Sequence, residues 1–268
     1  MGQNFAKMFD VKFEDQHKKT QYAWQTSWGF STRSIGSMIM VHSDNKGLVL
    51  PPRVAQYQVV LIPVIFKGDD RDAIFLKIRE LAATLKSHGV RIYVDDRENY
   101  NPGWKYNNWE MKGVPLRVEL GKHDMAASEV KVVRRDDGSK QQVSWEALRN
   151  CIPSLLEQIH EDMYARALKT RDEHIVKVSN WAEFMAELNK RNLCLAPWCN
   201  DQECEKAAKE RSKVESLQLA EQGEEEEVLT GAAKTLCIPF EQEPIAEGTC
   251  CFACGKDAKV RALWGRTY

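Results

Sequence analysis

The chain has 268 residues, of which 43% are hydrophobic and 29% charged, and its net charge is −1. This composition is typical of soluble globular proteins, and no apolar run of about eighteen residues is present that would span a membrane. The near-neutral charge excludes a protein coated all over by nucleic acid, so any RNA contact has to come from a local patch. The start, MGQNFAKMFD, lacks the features of a secretory signal or a transit peptide, and we therefore expect a cytosolic protein with reduced cysteines.

The first part of the chain is not expected to form a domain by itself, because about fifty residues rarely bury enough surface. An apolar run from Ser37 to His42 and a second run, LVLPP, flank the turn sequence SDNKG at 43–47. This pattern predicts a hairpin or the edge of a larger sheet. Residues 1–56 are therefore assigned to the remnant of a larger domain.

Residues 57–165 alternate between strand and helix patterns, which predicts an α/β module with a mixed sheet and flanking helices. The strand YQVVLIPVIF precedes a helix that ends at Gly89 and has its apolar residues on one face: Ile74, Ile78, Leu81, Ala82 and Leu85. Because a helix separates it from the first strand, the next strand, VRIYVDD, is expected to be parallel to the first. A short helix in NPGWKYNNWEMKG, a strand VPLRVELG, a hairpin of EVKVVRR and KQQVSW, and a helix from about Trp145 to about Lys169 complete the module.

Residues 166–268 are predicted to form an α+β domain. HIVKV, LCIPF and ALWGRTY have strand patterns, and NWAEFMAELNKRN predicts a helix with Asn180 as N-cap. A polar, helix-prone segment between them ends in an acidic run at 224–227, which is interpreted as a solvated loop or helix tip.

Two pairs of cysteines in this last region have the spacing of metal ligands. Cys199 and Cys204 form a C-x4-C pair, Cys251 and Cys254 form a C-x2-C pair, and Gly255 permits the tight turn that such pairs require. Four thiolates satisfy tetrahedral zinc and leave no position for water, so the site would be structural. Two alternatives remain: the thiols are reduced and bind no metal, or Cys250 replaces Cys251. The other cysteines are interpreted as small core residues: Cys151, Cys194 and Cys237.

Three groups of motifs point to one family. GQNFAKMFDVKFED and WGFSTRSIGSMIMVHSDNKGLVLPPRVA resemble the end of the class II catalytic domain, including motif 3, of the prolyl-tRNA synthetases of the eukaryotic and archaeal type. DDRENYNPGWKYNNWEMKGVPLRVELGKHDM resembles its anticodon-binding domain, and PWCNDQECE with CCFACGK resembles its C-terminal zinc-binding domain. Motifs 1 and 2 have no counterpart, so the chain is expected to be the C-terminal part of such an enzyme.

The resemblance implies an ATP-dependent ligase that activates proline with ATP and Mg²⁺, joins it to tRNA-Pro and acts as a homodimer in the cytoplasm. Ser31, Arg33 and Arg53 match positions that contact ATP in the family, although a surface salt bridge is the alternative for a single arginine. The terminal Tyr268 matches a residue whose carboxylate reaches toward the active site, with a frayed terminus as the alternative. In the family, motif 2 supplies the other half of the ATP-binding site, so this chain alone is expected to be inactive.

Anticodon reading requires unstacked bases, flat side chains, and cations near the phosphates. Residues 97–119 offer that mixture, and we predict RNA contacts from exposed side chains of four residues: Arg97, Lys105, Arg117 and Glu119. A glutamate can accept hydrogen bonds from the N1 and N2 donors of guanine. Trp104 and Trp109 are interpreted instead as core residues that hold a helix on the sheet.

Two further hypotheses explain the same motifs without catalysis. The first is a free-standing tRNA-binding or synthetase-associated module that uses the same α/β surface. The second is a zinc-stabilised scaffold that binds protein and no RNA.

Overall fold

The structure is a computed structural model that describes residues 1–222 and 231–266, and the chain forms two compact units, Met1–Met163 and Tyr164–Tyr268. Each unit has its own hydrophobic core. Residues 1–56 belong to the first unit, and the predicted division into 1–56, 57–165 and 166–268 stays a prediction. The acidic run at 224–227 and Tyr268 lie outside the described residues.

The first unit begins with four short elements: α1 (Asn4–Met8), β1 (Lys12–Glu14), β2 (Thr20–Tyr22) and α2 (Arg33–His42). The strand expected from Ser37 to His42 is wrong, because these residues form the second half of α2. Met38, Ile39 and His42 are half-buried. Their spacing is that of one helical face, whereas a strand would bury every second residue.

A five-stranded sheet forms the centre of the first unit. Its strands are β3 (Val59–Val64), β4 (Ile92–Val94), β5 (Leu116–Gly121), β6 (Glu129–Arg134) and β7 (Lys140–Ser144). Their spatial order is β4-β3-β5-β6-β7, with β3 parallel to β4 and β5 and the remaining pairs antiparallel. The predicted mixed sheet, parallel first pair and hairpin are confirmed.

Helices cover the two faces of this sheet unequally. They are α3 (Arg71–Ser87), α4 (Pro102–Met111), α5 (Lys122–Ala127) and α6 (Trp145–Glu173). The main core lies between one sheet face, α3 and α6, and it buries the apolar residues predicted for α3: Ile74, Ile78, Leu81, Ala82 and Leu85. On the other face the short α4 packs on β3 through a small cluster of Val60, Ile62, Trp109 and Val114.

The second unit is an α+β domain, as predicted. Its elements are β8 (Ile175–Lys177), α7 (Trp181–Asn189), β9 (Leu193–Trp198), α8 (Gln202–Gln222), β10 (Ala233–Cys237) and β11 (Val260–Arg266). The strands form a sheet in the order β10-β11-β9-β8. The side chain of Asn180 accepts a hydrogen bond from the Glu183 amide at 3.0 Å, which confirms it as the N-cap of α7.

The core of this unit is aromatic, with Phe184, Phe252 and Trp264 packed within 6 Å of one another between ring centroids. The described helices of the chain include none that is both long and apolar enough to cross a bilayer.

Candidate functional site

The first cysteine pair lies where β9 turns into α8. Cys199 follows the last residue of β9, and Asn200 reverses the chain in the left-handed region at φ +57°. The carboxylate of Asp201 accepts a hydrogen bond from the Cys204 amide at 3.1 Å, in the first turn of α8. The turn therefore points both thiols into the same part of the core, where both residues are buried.

The second pair lies in a tight loop before β11. The Cys251 amide donates to the Lys256 carbonyl at 2.7 Å, and the Gly255 amide donates to the Cys251 carbonyl at 3.1 Å. Gly255 has φ +74°, the left-handed conformation for which a glycine was expected here. The Phe252 amide donates to the Pro197 carbonyl of β9 at 3.0 Å, which fixes this loop beside the first pair.

The four thiols form one group. The sulfur atoms of Cys199, Cys204, Cys251 and Cys254 all lie within 4.8 Å of one another. Two of the S···S distances are 3.7 Å and 3.6 Å. Tetrahedral zinc with Zn–S bonds of about 2.3 Å requires sulfur atoms about 3.8 Å apart, so this arrangement could hold a metal ion. Cys250 is exposed and its thiol lies 3.7 Å from the Gly248 carbonyl, outside the group.

Burial and backbone N–H groups shift the pKa values of three of the clustered thiols. Burial raises the pKa of Cys199 and of Cys204. Burial also opposes ionisation of Cys251, but backbone N–H groups from Ala253, Cys254 and Cys199 outweigh it and lower the pKa of Cys251 to about 7. The Cys251 thiolate is therefore accessible near neutral pH, whereas Cys199 and Cys204 would lose their protons more readily beside a bound cation.

The remaining cysteines differ from one another in burial. Cys194 is fully buried, as predicted, and Cys151 is half-buried against the main core of the first unit. The prediction for Cys237 is wrong, because this residue is exposed on β10 at the edge of its sheet.

In the first unit, a buried carboxylate organises the residues around the start of α4. Asp95 follows β4 and is 0% exposed. It accepts hydrogen bonds from Arg97 Nε and Nη2, both at 2.8 Å, and from Trp109 Nε1 at 2.7 Å. Burial opposes ionisation of Asp95, but these hydrogen bonds outweigh it and lower the pKa of the carboxyl group.

Two expectations for this segment are wrong. Lys105 is only 4% exposed and donates to the Asp95 carbonyl at 3.0 Å, so its ammonium group is not the solvent-facing cation that was expected. Trp109 is buried as predicted, whereas Trp104 is 40% exposed and stacks on Tyr100. The sequence pattern could not predict which of the two tryptophans is buried, because only the position of α4 on the sheet decides which ring turns inward.

Arg117 and Glu119 lie on β5 and contact each other. Arg117 Nε donates to Glu119 at 2.8 Å, and the two side chains are 17% and 10% exposed. The guanidinium group lies 4.2 Å from the centroid of the Tyr106 ring. Burial and the nearby Glu119 carboxylate raise the pKa of Tyr106, which keeps its hydroxyl group protonated. These groups form a fixed polar cluster that is mostly buried, and the predicted RNA contacts of Arg117 and Glu119 stay a prediction.

Polar side chains on β6 and β7 continue this cluster across the part of the sheet face that α4 does not cover. Glu119 is opposite Lys131, and Lys131 is opposite Gln142; Arg117 is opposite Val133, and Val133 is opposite Lys140. Directly opposed residues share a sheet face, so these side chains lie on the same side as α4. Sequence reasoning missed Lys131, Lys140 and Gln142, although the alternation in EVKVVRR and KQQVSW is a signal for them.

The residues predicted to bind ATP lie near the start of the chain. Ser31 and Arg33 are exposed at the beginning of α2. Arg53 lies in the turn before β3 and forms a surface ion pair with Glu157. Arg53 therefore has the contact that was the alternative to ATP binding.

Known protein families match both units. The family described as the anticodon binding domain matches residues 58–155, and the family described as prolyl-tRNA synthetase, C-terminal, matches residues 181–268. Over 100% of its length the chain is 47% identical to "Proline--tRNA ligase, cytoplasmic" of Arabidopsis thaliana and covers 48% of that protein. It is 42% identical to "Proline--tRNA ligase" of Encephalitozoon cuniculi, with 53% of that protein covered.

A third relative is the "Bifunctional glutamate/proline--tRNA ligase" of Drosophila melanogaster, at 43% identity with 16% of its length covered. The chain thus spans about half the length, or less, of the curated relatives that it matches. The match to the anticodon binding domain and the proline--tRNA ligase relatives identify the class as the aminoacyl-tRNA synthetases. Within that class, the chain belongs to the prolyl-tRNA synthetase family.

Proposed function

We propose that this chain is the tRNA-recognising part of a proline--tRNA ligase that joins proline to its tRNA with ATP and Mg²⁺. The observation that carries the proposal is the polar cluster of β5 and the uncovered sheet face beside it. This face lies within the residues that match the anticodon binding domain. The 47% identity to a proline--tRNA ligase over the whole length of the chain supports the same assignment.

The geometry of the polar cluster suits the reading of a guanine. An ionised glutamate has about four lone-pair sites, so Glu119 can accept from Arg117 and still accept from a base. Arg117 holds the carboxylate at 2.8 Å in one orientation, which reduces the entropy lost on binding. Lys131 and Lys140, on the neighbouring strands, supply cations for the phosphates of the same nucleotides.

The four cysteines are proposed to hold a structural zinc ion. A metal with four protein ligands has no open position for water or substrate, so its contribution is stability. It would join the turn after β9 to the loop before β11, which are otherwise connected by backbone hydrogen bonds such as that from Phe252 to Pro197.

The other features of the whole ligase are part of the same proposal. Ser31, Arg33 and Arg53 would contribute to ATP binding, and the Tyr268 carboxylate would reach toward the active site. The whole protein would be a cytosolic homodimer. The name of the Arabidopsis relative, which is cytoplasmic, supports the location.

Titration with RNA tests the proposal. We expect the chain to bind a proline tRNA transcript more tightly than the same transcript with a substituted anticodon, in fluorescence anisotropy at fixed salt. Arg117→Ala is expected to weaken binding by about 1–3 kcal/mol and to reduce the discrimination between the two transcripts. Arg171→Ala, which removes an exposed arginine of the second unit, is the matched control and should leave both affinities unchanged. Equal affinity of the unaltered chain for the two transcripts would refute anticodon reading.

Proline-dependent pyrophosphate exchange separates a ligase from a binding module. We expect none from this chain, because the matches to motif 3 supply only part of an ATP site. Exchange by the purified chain would contradict that expectation.

A further inference from the structure

The four clustered thiols differ in their access to solvent. Three of the cysteines are 3%, 7% and 4% exposed: Cys199, Cys204 and Cys251. Cys254 is the exposed member of the group. The three residues that follow it are exposed as well, and a Cβ added at Gly255 would meet nothing within 4 Å. A small solute can therefore approach Cys254 from the solvent, whereas the protein covers the other three cysteines.

The exposed thiol has a close partner in the other cysteine pair. The sulfur atoms of Cys254 and Cys199 are 3.6 Å apart, and those of Cys204 and Cys251 are 3.7 Å apart. Both distances join the turn after β9 to the loop before β11. A disulfide bond is about 2 Å long, so a small movement of the side chains brings either of these two pairs to bonding distance.

Access decides which of these thiols reacts first with an oxidant. Cysteine binds zinc as the thiolate, and the thiolate is the nucleophilic form of the side chain. With zinc bound, all four cysteines are therefore in the reactive form, and they differ in burial. Hydrogen peroxide is small and uncharged, so its approach is limited by burial more than by charge.

We propose that Cys254 is a site of oxidation by peroxide and that it then forms a disulfide bond with Cys199. The Cys254 thiolate attacks one peroxide oxygen, the O–O bond breaks and hydroxide leaves, which gives a sulfenic acid. The Cys199 thiolate attacks the oxidised sulfur and displaces a second hydroxide. Two electrons pass from the two sulfur atoms to the peroxide. The two remaining thiolates do not complete a tetrahedral site, so zinc is released.

The disulfide replaces the metal as the link between the same two segments. It closes a loop of about 50 residues, and such a cross-link stabilises the folded state by restricting the unfolded chain. A dithiol reductant restores both thiols by exchange, so the modification is reversible. This inference rests on the proposed zinc site, which it extends by a reaction of its exposed ligand.

Peroxide treatment of the zinc-loaded chain tests the inference. Dimedone traps sulfenic acids, and mass spectrometry should find the first adduct on Cys254 and, without dimedone, the first disulfide between Cys199 and Cys254. A chromophoric chelator should detect about one zinc ion released for each peroxide consumed. Dithiothreitol and added zinc should restore the zinc content. The oxidised chain should melt at a higher temperature than the chain from which zinc has been removed by a chelator.

Two variants complete the test. Cys254→His exchanges the exposed thiol for an imidazole, which is a ligand in Cys₃His zinc sites, and should release zinc at least about tenfold more slowly. The double variant Cys237→Ser, Cys250→Ser removes two exposed thiols outside the group and should release zinc as fast as the unaltered chain. Thermal melting and zinc analysis show that each variant is folded and loaded.

The outcomes separate this inference from the zinc site on which it rests. If the chain contains zinc but Cys204 or Cys251 is trapped first, or if the double variant no longer responds to peroxide, this inference is wrong and the zinc site stands. A first disulfide between Cys251 and Cys254 would also contradict it. If the purified chain contains no zinc, both are wrong.

Discussion

Asp95 is the residue on which the start of α4 depends. Its carboxylate accepts hydrogen bonds from Arg97 and Trp109, and its own backbone carbonyl accepts one from Lys105. The strand that precedes it determines this role, because β4 ends at Val94 and directs the next side chain into the gap below α4. An acidic residue after a strand is common in sequences, and nothing in VDDRENY distinguishes the buried Asp95 from the exposed Asp96.

Asp95→Asn is expected to lower the free energy of unfolding by about 2–4 kcal/mol at neutral pH, because it leaves Arg97 and Lys105 beside a neutral amide. The lowered pKa of Asp95 stabilises the fold above the ordinary carboxyl pKa, and this contribution is lost as pH falls through the folded-state pKa. Denaturant melts at several pH values should therefore show a steeper acid loss below about pH 4 in the unaltered chain than in the variant.

Asp96→Asn is the matched control for this measurement. Asp96 is 52% exposed and lies 4.0 Å from Arg79, so its loss should cost less than about 1 kcal/mol. Equal costs for the two substitutions would show that Asp95 does not have the central role assigned to it.

At the scale of elements, the turn at 44–47 is bound tightly to the end of α4. The Leu48 amide donates to the Met111 carbonyl at 3.0 Å, and Arg135 holds Asp44 with hydrogen bonds of 2.7 Å and 2.8 Å. Gly113 permits the approach, since a Cβ there would lie 2.7 Å from Leu48. These contacts explain why the described residues before 57 belong to the first unit.

Gly113→Ala should lower the free energy of unfolding by about 1–3 kcal/mol, measured by urea denaturation. Its φ of +71° strains any other residue, and the new methyl group would collide with Leu48. Gly138 has φ +74°, and a methyl group added there would meet nothing within 4 Å, so Gly138→Ala measures the backbone strain alone. A similar loss in both variants would mean that the close approach to Leu48 contributes nothing.

At the scale of the molecule, the two units depend on different sources of stability. The first buries a large aliphatic core between its sheet, α3 and α6. The second is smaller, and its core includes three of the four clustered cysteines: Cys199, Cys204 and Cys251. A bound metal should therefore stabilise the second unit and leave the first almost unaffected.

Metal removal tests this difference. Cys199→Ser and Cys254→Ser are each expected to reduce the zinc content from about one ion per chain and to lower the melting temperature of the second unit by about 10 °C or more. Hydrogen exchange should become faster in Leu193–Trp198 and Val260–Arg266 and stay unchanged in Val59–Val64. Cys250→Ser, outside the thiol group, is the control and should keep its zinc. Full zinc content in Cys199→Ser would refute the tetrathiolate site.

Local patterns in the sequence determined much of the fold of this protein. The apolar spacing of α3, the N-cap at Asn180 and the alternation of strands and helices arise from contacts along a single element, and all are confirmed. The cysteine spacing indicated a metal site for the same reason, because each pair closes a turn of only a few residues. The run from Ser37 to His42 was wrong because a short apolar run fits a strand and a helix equally well.

Only the tertiary structure decided which side chains are available for binding. Trp104 and Trp109 lie in the same helix, and the packing of α4 on β3 exposes the first and buries the second. The choice between Cys250 and Cys251 and the burial of Lys105 also depend on neighbours that are distant in sequence. Burial depends on how the elements pack together, and the sequence of one segment does not determine which of its faces another element will cover.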